Sequence, residues 1–548
     1  MGLNNLFRKK PVTSVSADEA ENHGGGLSKV LTVRDLTFFG VAAIIGGGTF
    51  SAIGNACHAA GPAVVILYVI CAIACGFTAM CYAEFASRVP ASGSAYTYAY
   101  VSFGELFAWI IGWALLMEYS IGNIYIAFSW SGYFTNLVPG IPEYLTINYT
   151  AAHDAFLSNT AGEGMTAWMN APQIGGLRII FDLPAVVINA LITTLVFVGT
   201  KESRNISNIM VMVKLLIIVL VIVVGIFHVD IDNWTPFMPH GFTGVMAGVS
   251  AVFFAYIGFD AVSTLAEESK NPQRDLPRGM IYSLVICTVI YIVLALVLTG
   301  MVSYEALGVS DPLAEIFKLK GVKWMLFIVS IAAVVAMTSV LLVFQMGQPR
   351  IWMSMSRDGL LPKRFSSIHP KYKTPGFSTI ITGLVVGIPI FFTDENFVLD
   401  FTSIGTLFAF VLVCGGVLTL PRNTDAKVKG KFKMPYINSK WIIPVVTLAT
   451  FVLVYLYTPE IFYEGNVKGA AINYPMIIFF VLWAVVAVLS FIKNYSLIPV
   501  LGLLSCCYLL TGMGWKNWMM FSVWLVIGLI VYFLYGYRKS KLAQETKG

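Results

Sequence analysis

The hydrophobic positions of this chain fall in long blocks separated by shorter polar loops, and within the blocks they do not alternate with a period of two. Ile110 to Leu116, Leu215 to Phe227 and Met325 to Phe344 are examples. Each belongs to a stretch near the ~20 residues that cross a bilayer as a helix. Backbone groups in hydrocarbon must be satisfied within a helix or around a closed barrel, and the missing strand alternation selects helices. The pattern predicts fourteen: roughly 34–58, 62–88, 103–136, 183–200, 206–228, 242–266, 278–303, 322–347, 375–393, 397–420, 441–458, 473–492, 496–512 and 516–537. An even number places both termini on one side. The expected organisation is a polar tail (1–33), ten helices (34–420, in halves of about 34–228 and 242–420), a basic loop (421–440), four more helices (441–537) and a short tail (538–548).

Charge tests that layout. With the N-terminus inside the cell, Lys and Arg divide 28 inside to 6 outside, and the remaining one of 35, Lys214, lies within a helix. The positive-inside rule predicts such a split, so both tails are expected in the cytoplasm. The same rule accounts for the net charge of +6. Basic stretches such as Arg350 to Lys373 and Arg422 to Lys440 are topology signals, and no nucleic-acid partner is expected.

Composition agrees and excludes several classes. The 548 residues are 57% hydrophobic and 12% charged, with mean hydropathy +0.77. That leaves too little polar surface for a soluble protein of this size. The first thirty residues carry Arg8, Lys9, Lys10, Asp18 and Glu19 and no apolar core, so no secretory signal is expected. All eight cysteines, Cys57 to Cys507, lie in apolar segments, and the six histidines are scattered. Neither a disulfide framework nor a metal site is expected, nor any cofactor. No H-E-x-x-H or G-x-S-x-G motif is present, which argues against an enzyme. The long outside loop, Val138 to Phe181, contains Asn148-Tyr149-Thr150, a glycosylation sequon that can equally arise by chance.

Two of the helices carry glycine where an unbroken span favours Leu or Val. The first contains Gly40-Val41-Ala42-Ala43-Ile44-Ile45-Gly46-Gly47-Gly48-Thr49-Phe50, and the sixth Phe253-Phe254-Ala255-Tyr256-Ile257-Gly258-Phe259-Asp260. Each glycine weakens a helix interior by roughly 1 kcal/mol relative to Ala. Unwound backbone at membrane depth is tolerated where it lines an enclosed cavity. Helices one and six are corresponding members of two five-helix units, the pattern of inverted-repeat transporters with a midplane site. A half-helix starting near Gly48 aims N–H groups and a positive dipole end at a carboxylate. Carbonyls freed near Ile44, Phe253 and Ala255 accept from an ammonium, so one site reads both ends of a zwitterion. The alternative is that Gly46 to Gly48 simply permit close helix packing.

These residues resemble the amino acid–polyamine–organocation superfamily. The glycine run before Thr49-Phe50 is similar to its first-helix signature. More specific are Phe253 to Thr264, Glu267-Glu268, Asn271-Pro272-Gln273-Arg274-Asp275-Leu276-Pro277 and Ser356-Arg357-Asp358-Gly359-Leu360-Leu361-Pro362, which resemble the cationic amino acid transporter branch. The resemblance covers about Leu31 to Tyr537. It implies a LeuT-like fold of five plus five inverted helices with four extra, a multi-pass protein of a plasma or bacterial inner membrane, and alternating access for L-amino acids. It also implies substrate contacts at Ile44, Gly46, Gly47, Gly48, Thr49, Phe253, Phe254, Ala255 and Ile257, with Phe254 as a gate. Thr49 departs from the family's usual aliphatic residue, and its hydroxyl either meets the substrate carboxylate or bonds the backbone.

Charges inside the membrane carry the coupling expectation. Lys214, about a third into helix five, costs on the order of 2.5–3.5 kcal/mol at a helix centre and is not expected to face lipid. It either snorkels to the interface or is held between helices one, five and eight. The resemblance implies the latter: a lysine standing in for sodium and linking transport to protons. Glu118 in helix three is expected to partner Lys214 through water, to sense the substrate side chain, or to be structural. Asp260 is a candidate for the inner gate, and Thr338 and Ser339 for the pocket lining. Phe253, Phe254 and Met337 suggest an apolar side-chain pocket, hence neutral or broad specificity. The expected partners are a small L-amino acid, protons and membrane lipid. Exchange without net proton movement and a non-transporting sensor are the alternatives.

Overall fold

The computed structural model describes residues 6–11, 29–46, 48–138, 140–158, 162–175, 177–241, 245, 248–309, 312–393, 395–420, 432–463, 472–513 and 515–545. The chain is an all-α polytopic membrane protein. Its principal helices are α1 (Val33–Ile44), α2 (Ile53–Ala60), α3 (Val64–Arg88), α4 (Ala95–Ser102), α5 (Glu105–Leu137), α6 (Tyr149–Leu157), α7 (Glu163–Asn170), α8 (Leu183–Val198), α9 (Thr200–Ile226), α10 (Val249–Tyr256), α11 (Pro272–Met301), α12 (Pro312–Leu319), α13 (Lys323–Arg357), α14 (Gly376–Gly387), α15 (Glu395–Thr419), α16 (Ile442–Tyr457), α17 (Tyr474–Lys493), α18 (Leu497–Thr511) and α19 (Trp515–Val531). Among the described residues, seven helical segments are long and apolar enough to cross a membrane, and five apolar helices are shorter.

The two glycine-bearing predicted helices are broken. α1 starts at a capping box, with Thr32 N–H donating to Asp35 and Asp35 N–H to Thr32. It ends at Ile45, whose backbone is extended, and a π-helical turn at Gly48–Ala52 leads into α2. α10 likewise stops at Ile257, which is extended, followed by Gly258 at φ 114 and a 3₁₀ segment, Phe259–Glu268. A Cβ at Gly258 would meet the Ala43 Cβ at 2.7 Å, so the two breaks pack backbone to backbone.

Three further departures from the expected spans have local causes. A separate buried helix, α4, precedes the third span; the chain turns at Gly104, φ 105, directly against the backbone of Phe7. α13 runs ten residues past the expected 347, so Arg350 is a helix residue and not part of a basic loop. Arg350 is buried and ion-paired with Glu268, its Nε donating at 2.6 Å. The long loop between α5 and α8 has a small core of its own around Ala152, Ala167 and Ile180, with a two-residue β1–β2 ribbon (Gln173–Ile174, Leu177–Arg178). In it Asn148 is buried and caps α6, accepting from Ala151 N–H, so that its side chain is not presented as a glycan acceptor.

Both chain ends meet at one end of the bundle. Glu105 at the start of α5 accepts from Tyr532 (2.9 Å), Ser540 (2.5 Å) and Tyr100 (3.1 Å), with Arg8 at 3.9 Å. Asp358, just beyond α13, accepts from Lys10 and Tyr96, each at 2.7 Å. Higher up, Trp109, Trp113 and Trp524 stack, and Trp113 and Trp524 exchange indole-to-carbonyl hydrogen bonds, fixing α19 on α5.

Candidate functional site

The break after α1 is gripped by side chains from several helices. Lys214 of α9 is fully buried and donates to the carbonyls of Ala42 (3.0 Å) and Ile45 (2.7 Å) and to Ser339 Oγ of α13 (2.9 Å). An ammonium has three N–H donors, so Lys214 is saturated by α1 and α13. Ser339 passes its own proton to the Ala336 carbonyl at 2.6 Å. The structure thus places Lys214 between the first, fifth and eighth predicted helices, and the snorkelling alternative does not describe it. With its donors taken, Lys214 forms no direct pair with Glu118. Glu118 and Asp260 are both buried carboxylates, and Glu118 lies beside Thr406.

The substrate-facing candidates collect around the two breaks, Gly47 excepted, which lies outside the described residues. Gly46 packs on the Val340 side chain, and its carbonyl accepts from the N–H groups of Thr49 (3.0 Å) and Phe50 (3.1 Å). Two of the donors expected at this half-helix start are therefore turned inward. A Cβ on Gly48 would lie 2.5 Å from Ala255 Cα, so this glycine is required where helix meets helix through backbone. Ile257 N–H closes the end of α10 on the Phe254 carbonyl at 3.2 Å. Phe253 is buried, edge-on to Phe410. Phe254 is half-buried, its ring perpendicular to Tyr125 at 5.9 Å. Thr338 accepts from Trp130 of α5 at 2.8 Å, and Met337 is buried.

Residues that the sequence did not single out complete the site. Tyr291 of α11 is fully buried, and its hydroxyl lies 2.9 Å from the carbonyls of both Ile44 and Ala255. Thr49 Oγ1 donates to that hydroxyl at 3.0 Å, so in this structure the unusual threonine bonds a side chain of another helix. Tyr133 of α5 donates to the Phe50 carbonyl at 3.1 Å. A tyrosine inside an apolar run carries no sequence mark that it will serve backbone on another helix. The one available hint is that a buried hydroxyl needs a partner, and broken helices supply unpaired carbonyls.

Comparison with known proteins places these features in context. The profile of the amino acid permease family matches residues 31–489, and that of the C-terminus of such permeases matches residues 495–540. The branched-chain amino acid permease BcaP of Bacillus subtilis is 37% identical over 540 residues, covering 98% of this chain and 99% of the relative. The methylthioribose transporter of the same organism is 36% identical over 541 residues, 98% of this chain and 100% of that protein. A vacuolar cationic amino acid transporter 2 of Arabidopsis thaliana is 31% identical over 632 residues, 99% of this chain and 94% of its own length.

Proposed function

We propose that this chain, which belongs to the amino acid permease family, is a proton-coupled secondary transporter of neutral L-amino acids working by alternating access. The reading has fourteen spans, the first ten as two inverted five-helix repeats, and both tails in the cytoplasm, in keeping with the meeting of the chain ends. The substrate sits at the paired breaks, held by the backbone of residues 44–49 and 253–257, with Phe254 closing over it.

The observation that carries the reading is Lys214. A lysine holding two carbonyls of an unwound helix and a hydroxyl of α13 coordinates them as a bound cation would. Unlike a metal ion it can lose a proton, and then it has two donors for three acceptors. Ser339 can answer by turning its proton from Ala336 to the amine lone pair, so the local bonding has two discrete arrangements. The apolar residues Phe253, Phe254 and Met337 favour a neutral side chain, in keeping with the branched-chain specificity named for one relative. Glu118 is the nearest candidate for discriminating charge on the substrate.

Uptake into proteoliposomes tests this, with radiolabelled L-leucine, L-alanine and L-arginine, with and without an inward proton gradient and sodium. Concentrative uptake of the neutral substrates that needs the gradient and ignores sodium is the expected result. Uptake restricted to vesicles preloaded with amino acid would make the protein an exchanger and Lys214 a fixed structural cation.

A further inference from the structure

We infer that Tyr291 is a positioning residue for substrate recognition: its hydroxyl clamps the breaks of α1 and α10 into one register, with Thr49 orienting it. The inference rests on the site assignment proposed above. It starts from a proton count. One hydroxyl proton faces two carbonyls at equal distances of 2.9 Å, Ile44 from the first break and Ala255 from the second. Thr49 donates to the same oxygen at 3.0 Å, occupying its acceptor side and leaving the Tyr291 proton directed at the carbonyls.

The surroundings fix the hydroxyl in place. The Tyr291 ring is packed against Tyr68 (centroids 5.4 Å) and Tyr256 (5.5 Å), and Tyr256 is anchored by donating to the Tyr68 carbonyl. Gly48 against Ala255 and Gly258 against Ala43 bring only methyl groups between the breaks at these two contacts. Tyr291 is the side chain that bonds both of them at once. A substrate whose carboxylate is read by one break and whose ammonium is read by carbonyls of both needs that spacing held. Lys214 acts on other carbonyls, Ala42 and Ile45, so removing the clamp takes no hydrogen bond from the proposed proton site.

The test is L-leucine uptake in proteoliposomes by wild type, Tyr291→Phe, Thr49→Val and the double variant, with KM, maximal rate and pH dependence measured for each. A hydrogen bond of ordinary net worth predicts that Tyr291→Phe raises KM by roughly two- to thirteenfold. The pH profile is expected to stay in place. Thr49→Val should raise KM less, and the double variant should match Tyr291→Phe alone, because Thr49 acts through the tyrosine. Thr49→Ser, keeping the hydroxyl, should restore the wild-type KM. A loss of maximal rate with KM unchanged would reduce Tyr291 to a packing residue and overturn the clamp. Additive effects in the double variant, or a lower KM from a hydroxyl that competes with the ammonium, would overturn it too. Should Tyr291→Phe fail to fold, unchanged KM in Thr49→Val is refuting by itself. A wild type that takes up none of the amino acids tested would instead remove the function on which the clamp depends.

Discussion

Replacing Lys214 by methionine removes a charge and three donors while keeping a straight side chain of similar length. The Ala42 and Ile45 carbonyls and Ser339 Oγ, all within 3.0 Å of the ammonium, then lose that partner. A buried acceptor left without a donor costs about 1–3 kcal/mol. Against that stands the several kcal/mol needed to desolvate the ammonium itself, which the methionine no longer requires. The two terms are of similar size, so folding and detergent stability should change little. Coupling should change completely. With one proton per substrate, an inward gradient of one pH unit supplies about 1.4 kcal/mol, or tenfold accumulation of substrate. In proteoliposomes the wild type should approach that ratio, and Lys214→Met should stop at equal concentrations inside and out while still exchanging labelled for unlabelled substrate. Gradient-driven accumulation by Lys214→Met at the wild-type ratio would refute the coupling role outright. Loss of both accumulation and exchange in a folded variant would mean the lysine serves the site's architecture and not its energetics.

Other outcomes follow from the same geometry. Gly48→Ala sets a Cβ 2.5 Å from Ala255 Cα; overpacking of about 1–3 kcal/mol predicts substrate affinity weakened roughly five- to 150-fold, measurable by equilibrium binding. Phe254→Ala should leave binding within a few-fold but slow the transport cycle, since the half-buried ring is the proposed lid; an unchanged cycle would make it packing. Arg350→Met should destabilise by about 3–5 kcal/mol in thermal unfolding by taking the guanidinium away from the buried Glu268 carboxylate, and adding Glu268→Leu should recover much of it.

Much of this architecture was legible because membrane helices advertise themselves. Twenty apolar residues in a row have few alternatives, and basic loops record which side they stayed on. The breaks were legible for a related reason: Gly46, Gly48 and Gly258 are costly in a helix and so mark where the helix stops. Lys214 stood out as a charge with no reason to face lipid. What stayed hidden is the partner of each polar group. Arg350 read as one more basic loop residue because nothing in its neighbours reveals that Glu268, more than eighty positions away, lies beside it in the fold. Tyr291 and Tyr133 read as ordinary aromatic filling, since their hydroxyls serve backbone carbonyls that become available when other helices unwind. Thr49 was noticed as unusual, but both roles weighed for it assumed substrate or local backbone, and its partner is a side chain 242 positions on.

The break after α1 suggests how coupling can be local. Ile44 and Ile45 are adjacent residues in a segment leaving helical geometry, and in extended backbone successive carbonyls face opposite ways. The Ile45 carbonyl is held by Lys214 on α9, and the Ile44 carbonyl by Tyr291 on α11. The proposed proton site and the proposed ammonium site are therefore one residue apart, joined through the backbone torsions of Ile45. When Lys214 loses a proton it drops from three donors to two, and whichever acceptor is released changes the force on this turn. If the Ile45 peptide tilts, the motion reaches the Ile44 carbonyl through the two backbone torsions of Ile45, beside glycines packed against Val340 and Ala255. No long pathway is needed between ion and substrate, since a single unwound turn, gripped from opposite sides, is the element that both would bias.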